Sequence, residues 1–106
     1  MKKAVGTIAL FAALTPIADA ADPQALAESK KCFSCHSLNR ERQAPSFELL
    51  SRNYRGVPNA DRMLERKIQL GGVGHWGAEP MPGGGPRPEV SEAEARELAA
   101  WILTMK

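Results

Sequence analysis

Cys32 and Cys35, the only cysteines in 106 residues, stand three positions apart with His36 directly after the second. Few chemistries tolerate that spacing. A disulfide would close so small a loop that it would hardly constrain the unfolded chain. A redox dithiol belongs at the start of a helix that follows a strand, where the helix dipole lowers the thiol pKa, whereas a helical pattern precedes this motif. Structural zinc needs four ligands; His75 is the only other histidine, and His36 is crowded against Cys35. The C-x-x-C-H pattern fits covalent haem attachment, in which two thiols one turn apart form thioethers to the two vinyl groups and the adjacent imidazole reaches the iron. A chain built on such a motif must wrap around its cofactor, haem c, held once through Cys32 and Cys35.

The N-terminus supports that chemistry. Lys2 and Lys3, an apolar run from Ala4 to Leu14, and Ala18-Asp19-Ala20 form a bacterial export signal, with cleavage expected after Ala20. The run is too short to anchor the chain, and nothing downstream approaches the ~20 apolar residues of a membrane span. Residues 1–20 are thus a leader and residues 21–106 a single domain destined for the periplasm. Removing the leader takes Lys2, Lys3 and Asp19, leaving 12 basic and 11 acidic residues and a net charge of +1. So nearly neutral a chain lacks the basic field that nucleic acid or an anionic membrane requires. Chains this short bury only about 60% of their unfolded surface and commonly need a disulfide, metal or bound group to complete the core.

Apolar periodicity predicts four short helices and no strand. The first begins at the N-cap Asp22 with Pro23 in its first turn and runs toward Lys31, with Leu26 and Phe33 on its inner face and the cysteine motif at its C-terminal end. The second spans about Ser46 to Tyr54, with Phe47, Leu50 and Tyr54 along one side. The third spans about Asn59 to Leu70, with stripes Met63-Lys67-Leu70 and Leu64-Ile68, and stops at Gly71-Gly72. The fourth opens on the capping box Ser91-Glu92-Ala93-Glu94, with Ala95, Leu98, Trp101, Ile102 and Met105 facing inward. Trp101, Phe47 and Tyr54 read as core against the porphyrin.

Residues 71–90 hold seven of the nine glycines and four of the eight prolines. A loop of that length in a compact domain is either functional or disordered; Val73, Trp76 and Met81 within it point to a segment wrapped around something. Of the three methionines that survive cleavage, Met63 and Met105 sit on apolar helix faces as core filler. Met81 lies between Pro80 and Pro82, which hold the backbone extended, and suits the sixth iron position, where a thioether raises the potential of an electron carrier. The alternative is a methionine packed under a mobile loop. His75 is a second candidate for that position, against its reading as an exposed loop histidine.

These residues resemble the class I cytochromes c of the short soluble bacterial type (c-551/c-552-like). The resemblance runs through C-F-S-C-H, Pro45, Lys67-Ile68, Gly74-His75-Trp76-Gly77, Pro80-Met81-Pro82 and the closing Leu98-Ala99-Ala100-Trp101-Ile102-Leu103. It implies an all-α, small single-domain class I cytochrome c fold of about four short helices wrapped around one covalently bound haem, with His36 and Met81 as axial ligands. It further implies that the Pro45 carbonyl accepts the His36 Nδ1 proton, and that Trp76 directs its indole N–H to a haem propionate with Lys67 nearby. Two departures stand out: Gly83-Gly84-Gly85 follows the methionine where the family often has an asparagine, and Pro86-Arg87-Pro88 looks like an insertion.

Charge is unevenly placed, with Lys30, Lys31, Arg40, Arg42, Arg52, Arg55, Arg62, Arg66 and Lys67 before the loop and Glu89, Glu92, Glu94 and Glu97 after it. Around an exposed haem edge the basic set would steer an acidic partner; otherwise these are solvated helix faces. The expected function is single-electron transfer by a monomer between redox protein partners such as a reductase, an oxidase or a membrane electron-transfer complex. No catalysis is expected. A haem enzyme such as a peroxidase would require an open sixth position, and a dithiol or zinc protein would be colourless.

Overall fold

The computed structural model describes residues 4, 6, 22–73, 80–85 and 87–106. The expected leader, apart from positions 4 and 6, lies outside the described residues, as do His75 and Trp76. The described chain is all-α: helices α1 (Pro23–Ser29), α2 (Phe47–Tyr54), α3 (Ala60–Leu70) and α4 (Glu92–Ile102), with a 3₁₀ turn at Cys32–Ser34. None is long and apolar enough to cross a membrane among the described residues.

Local chemistry starts three of the four helices. Asp22 accepts from the Gln24 amide at 3.2 Å, and Ser46 accepts from the Leu49 amide at 3.1 Å. Ser91 and Glu94 close a full capping box, the serine oxygen accepting from the Glu94 amide at 3.1 Å and the Glu94 carboxylate from the Ser91 amide at 2.9 Å. That amide, joined by Lys30 at 3.2 Å, holds the Glu94 carboxyl below its usual pKa. Asn59 stands before α3 in the left-handed region, with φ 62° and no capping side-chain bond.

The first helix is shorter than its pattern predicts. It stops at Ser29, and Lys31 then takes φ 64°, a left-handed conformation unusual for a side chain other than glycine or asparagine. The cysteines therefore lie on a separate 3₁₀ turn rather than on the end of α1. Leu26 and Phe33 no longer share a helical face, although both pack against the core.

α3 and α4 form the main packed pair, and α1 and α2 also lean on α4. Leu64 and Ile68 meet the cluster of Ala95, Leu98, Ala99 and Ile102. Ala27, Ala95 and Ala99 are wholly buried, small side chains that permit close helix approach. One residue of the predicted stripes is elsewhere: Leu70, the last residue of α3, is 71% exposed. Met105 packs against the core as expected, although it lies beyond α4, which ends at Ile102. Ser51 is fully buried, and its hydroxyl donates to the carbonyls of Leu103 at 3.1 Å and Met105 at 2.7 Å, tying α2 to the C-terminal segment.

The long loop is pinned rather than free where it is described. Gly72 and Met81 form an antiparallel bridge, with N–H to O distances of 2.9 and 2.8 Å, and Gly84 bridges Arg87. Gly71 makes the first approach possible: at φ 67°, a Cβ there would collide with the Met81 carbonyl oxygen and lie 2.6 Å from the Gly83 nitrogen. Val73, in the segment expected to wrap, is 69% exposed.

Two outcomes follow. Ser51→Ala should lower the unfolding free energy by ~1 kcal/mol in denaturant titration, because the one hydroxyl proton shared by the part-buried Leu103 and Met105 carbonyls is lost. Gly71→Ala should destabilise more than Gly56→Ala. Gly56 has φ 82° but open space around a Cβ, so it carries the backbone cost alone, ~1 kcal/mol. Equal losses in thermal unfolding would mean that the collision with the Met81 segment relaxes freely.

Candidate functional site

The C-x-x-C-H segment is wound by its own backbone. The Ser34 amide donates to the Lys31 carbonyl at 3.1 Å, and the Cys35 and His36 amides both donate to the Cys32 carbonyl, at 3.3 and 3.0 Å. This turn brings both sulfurs and the imidazole to one side of the chain, where Cys32, Cys35 and His36 line a common cavity. The His36 ring stacks at a tilt on Phe47, centroids 5.1 Å apart, and Phe47 in turn meets Phe33 and the edge of Trp101 at 5.6 Å each. Trp101 is half-buried and packs against the core beside Phe47.

His36 Nδ1 lies 2.7 Å from the Pro45 carbonyl oxygen. A carbonyl only accepts, so Nδ1 carries the proton and Nε2 keeps its lone pair. Burial depresses the pKa of the ring, with the Pro45 contact opposing in part, so the imidazole is held neutral and able to ligate. Pro45 is itself buried, just before the Ser46 cap, and α2 therefore fixes the position of the accepting carbonyl.

Met81 approaches the same cavity from the long loop. It is half-buried and bound through its backbone to Gly72. Gly83 lets this segment lie on the end of α3, since a Cβ there would come within 2.5 Å of the Leu70 carbonyl oxygen.

The cavity measures about 370 Å³. Besides the cysteines, His36, Pro45 and Met81, its walls include Phe47, Leu50, Tyr54, Leu64, Ile68, Leu98 and Ile102. It thus unites five of the six residues singled out from the sequence; Trp76 is outside the described residues. Several lining residues were not anticipated, Met63 and Arg87 among them. Met63 faces the cavity rather than serving only as filler, a role its helical spacing could not separate from ordinary core. Arg87, only 8% exposed, belongs to the wall although its surroundings in sequence, prolines and glycines, give no sign of burial. Lys67 also lines the cavity, its Nζ donating to the Val73 carbonyl at 3.4 Å.

These donors fit a haem. The walls include many aliphatic and aromatic side chains, Cys32, Cys35 and His36 line them together from one short segment, and the Met81 thioether belongs to a different one. The competing chemistries fit poorly. Burial pushes the Cys32 thiol up, with Arg87 offsetting part of the effect, the reverse of an activated dithiol. Among the described residues no group of three His, Cys, Asp or Glu side chains is arranged to hold a metal ion.

Comparison with known proteins agrees. The cytochrome c family matches residues 20–106. The chain is 43% identical to cytochrome c-551 of Azotobacter vinelandii over 76% of this chain and 94% of that one. It is 37% identical to cytochrome c-552 of Nitrosomonas europaea over 96% and 95%. The crystal structure of wild-type Nitrosomonas europaea cytochrome c552 superposes with a TM-score of 0.71 at 35% identity, covering 78% of this chain and 99% of that chain. Matched along its helices and keeping both cysteines of the attachment motif, the chain belongs to the cytochrome c family, and that membership implies a covalently bound haem c.

Proposed function

We propose that this protein is an exported, periplasmic, monomeric electron carrier in which Cys32 and Cys35 hold one haem and His36 and Met81 supply its axial ligands. The observation that carries the proposal is the meeting of all four side chains at one apolar cavity. When bound, the haem supplies a one-electron iron couple. The protein does the rest. Pro45 orients the imidazole and keeps its Nε2 free to donate, which strengthens ligation. The aliphatic walls exclude water and disfavour added positive charge, raising the reduction potential. By the family resemblance, Trp76 would direct its indole N–H to a propionate, with the positive charge of Lys67 nearby.

With both axial positions taken from the chain, no substrate reaches the metal, which argues for a carrier and against an enzyme. The partners are then redox proteins that meet the exposed edge of the cofactor, and residues 21–106, freed of the leader after Ala20, form the working domain.

Filling the cavity matters for folding as well. Its walls come from the 3₁₀ turn, three helices and the long loop, so without the cofactor these segments lose the apolar surface they share, in a domain whose net stability is only ~5–15 kcal/mol. A double variant, Cys32→Ala with Cys35→Ala, should accordingly lose the haem stain on a denaturing gel and most native helicity by circular dichroism. Native helicity without chromophore would contradict the dependence on cofactor. The ligand assignment rests on spectra: the wild-type protein should show the weak far-red sulfur-to-iron band. Met81→Ala should abolish the band and lower the potential, while Met63→Leu keeps both. Loss of the band in Met63→Leu, with retention in Met81→Ala, would transfer the sixth position to Met63.

A further inference from the structure

We infer that Arg87 is a positioning residue for Met81, its guanidinium joining the carbonyl of Pro82, next to the methionine, to the carbonyl of Ile68 in α3. The inference rests on Met81 being the sixth ligand. Nε donates to the Pro82 oxygen at 2.8 Å, Nη2 to the Ile68 oxygen, and Nη1 to the Pro88 oxygen at 3.5 Å. All three nitrogens are therefore engaged by backbone acceptors, and none of the ion pairs among the described residues involves Arg87.

The surroundings explain why such a device is needed. Gly83, Gly84 and Gly85 follow the ligand segment and bring no side chains with which to fasten it. The chain instead turns back on itself: the Gly85 amide donates to the Arg87 carbonyl at 3.1 Å and Gly84 bridges Arg87. That turn returns the arginine beneath Pro82, beside the cavity. A planar fork with fixed donor directions can span two carbonyls on different segments, and burial to 8% exposure shields the contact from competing water. An ammonium in the same place carries the charge without the span.

The test uses the haem-loaded protein and added imidazole, which competes with the methionine sulfur at the sixth position. Wild type, Arg87→Ala, Arg87→Lys and Arg96→Ala are titrated well below their unfolding temperatures while the far-red band is followed. Arg96, on the exposed face of α4 and paired with Glu92 and Glu65, controls for loss of a positive charge. Arg87→Ala should bind imidazole about tenfold more tightly, or more, because two charge-assisted bonds that resist opening are gone. Arg87→Lys should fall between it and wild type, and Arg96→Ala should match wild type. Wild-type affinity in Arg87→Ala, or an equal gain in Arg96→Ala, overturns the inference. If Arg87→Ala yields no loaded protein, Arg87→Lys decides: a gain of about threefold or more supports the clamp, and wild-type affinity overturns it. A wild-type protein lacking the band, or Met81→Ala retaining it, would instead defeat the ligand assignment itself.

Discussion

An apolar cavity that the side chains alone do not fill is the constraint to which every element of this protein answers. Its walls come from the 3₁₀ turn, α2, α3, α4 and the long loop, so no two segments complete it without the others. The buried core is correspondingly thin: Leu64, Ile68, Leu98 and Ile102 serve both in it and in the cavity wall, beside alanines that permit close helix approach. In so small a chain the cofactor is an interior component as much as a redox centre, and this couples folding to maturation.

What could be read in the sequence is the chemistry that acts over a few residues. Asp22, Ser46 and Ser91 cap their helices because a side-chain oxygen needs only the amides two or three positions on, and the attachment motif is legible because its geometry is confined to one turn. Longer reach defeats such reading. The left-handed turn at Lys31, which separates the cysteines from α1, has no glycine to announce it. Ser51 looks like any helical serine until the carbonyls of Leu103 and Met105, more than fifty residues on, are brought to it. Arg87 resembles part of a solvated insertion, and only the fold supplies the carbonyls that make its burial tolerable. Leu70 errs the other way: it obeys the helical stripe, but α3 ends there and leaves it in solvent.

The glycine-rich loop shows how one departure from a family pattern is absorbed. Glycines at 71 and 83 remove the side chains that would keep the Met81 segment away from α3, so the contact is made between backbones. Met81 itself packs against the core, and the backbone around it is fastened by the Gly72–Met81 bridge and the Arg87 fork.

The two sides of the site consequently differ in how they are secured. On the histidine side every fixing contact is short in sequence: the winding bonds span three or four residues, and the Pro45 acceptor lies nine residues from His36. On the methionine side the bridge joins residues nine apart, and the arginine reaches nineteen residues back to Ile68. Loop closure costs little more for the longer span, yet these contacts depend on α3 and the loop remaining docked, whereas the histidine contacts survive any local opening that leaves α2 in place. Local opening should therefore begin at the methionine side. Under the proposed ligation, changes to the Gly72–Met81 bridge or to the Arg87 fork would therefore bear on the potential more directly than changes around α2.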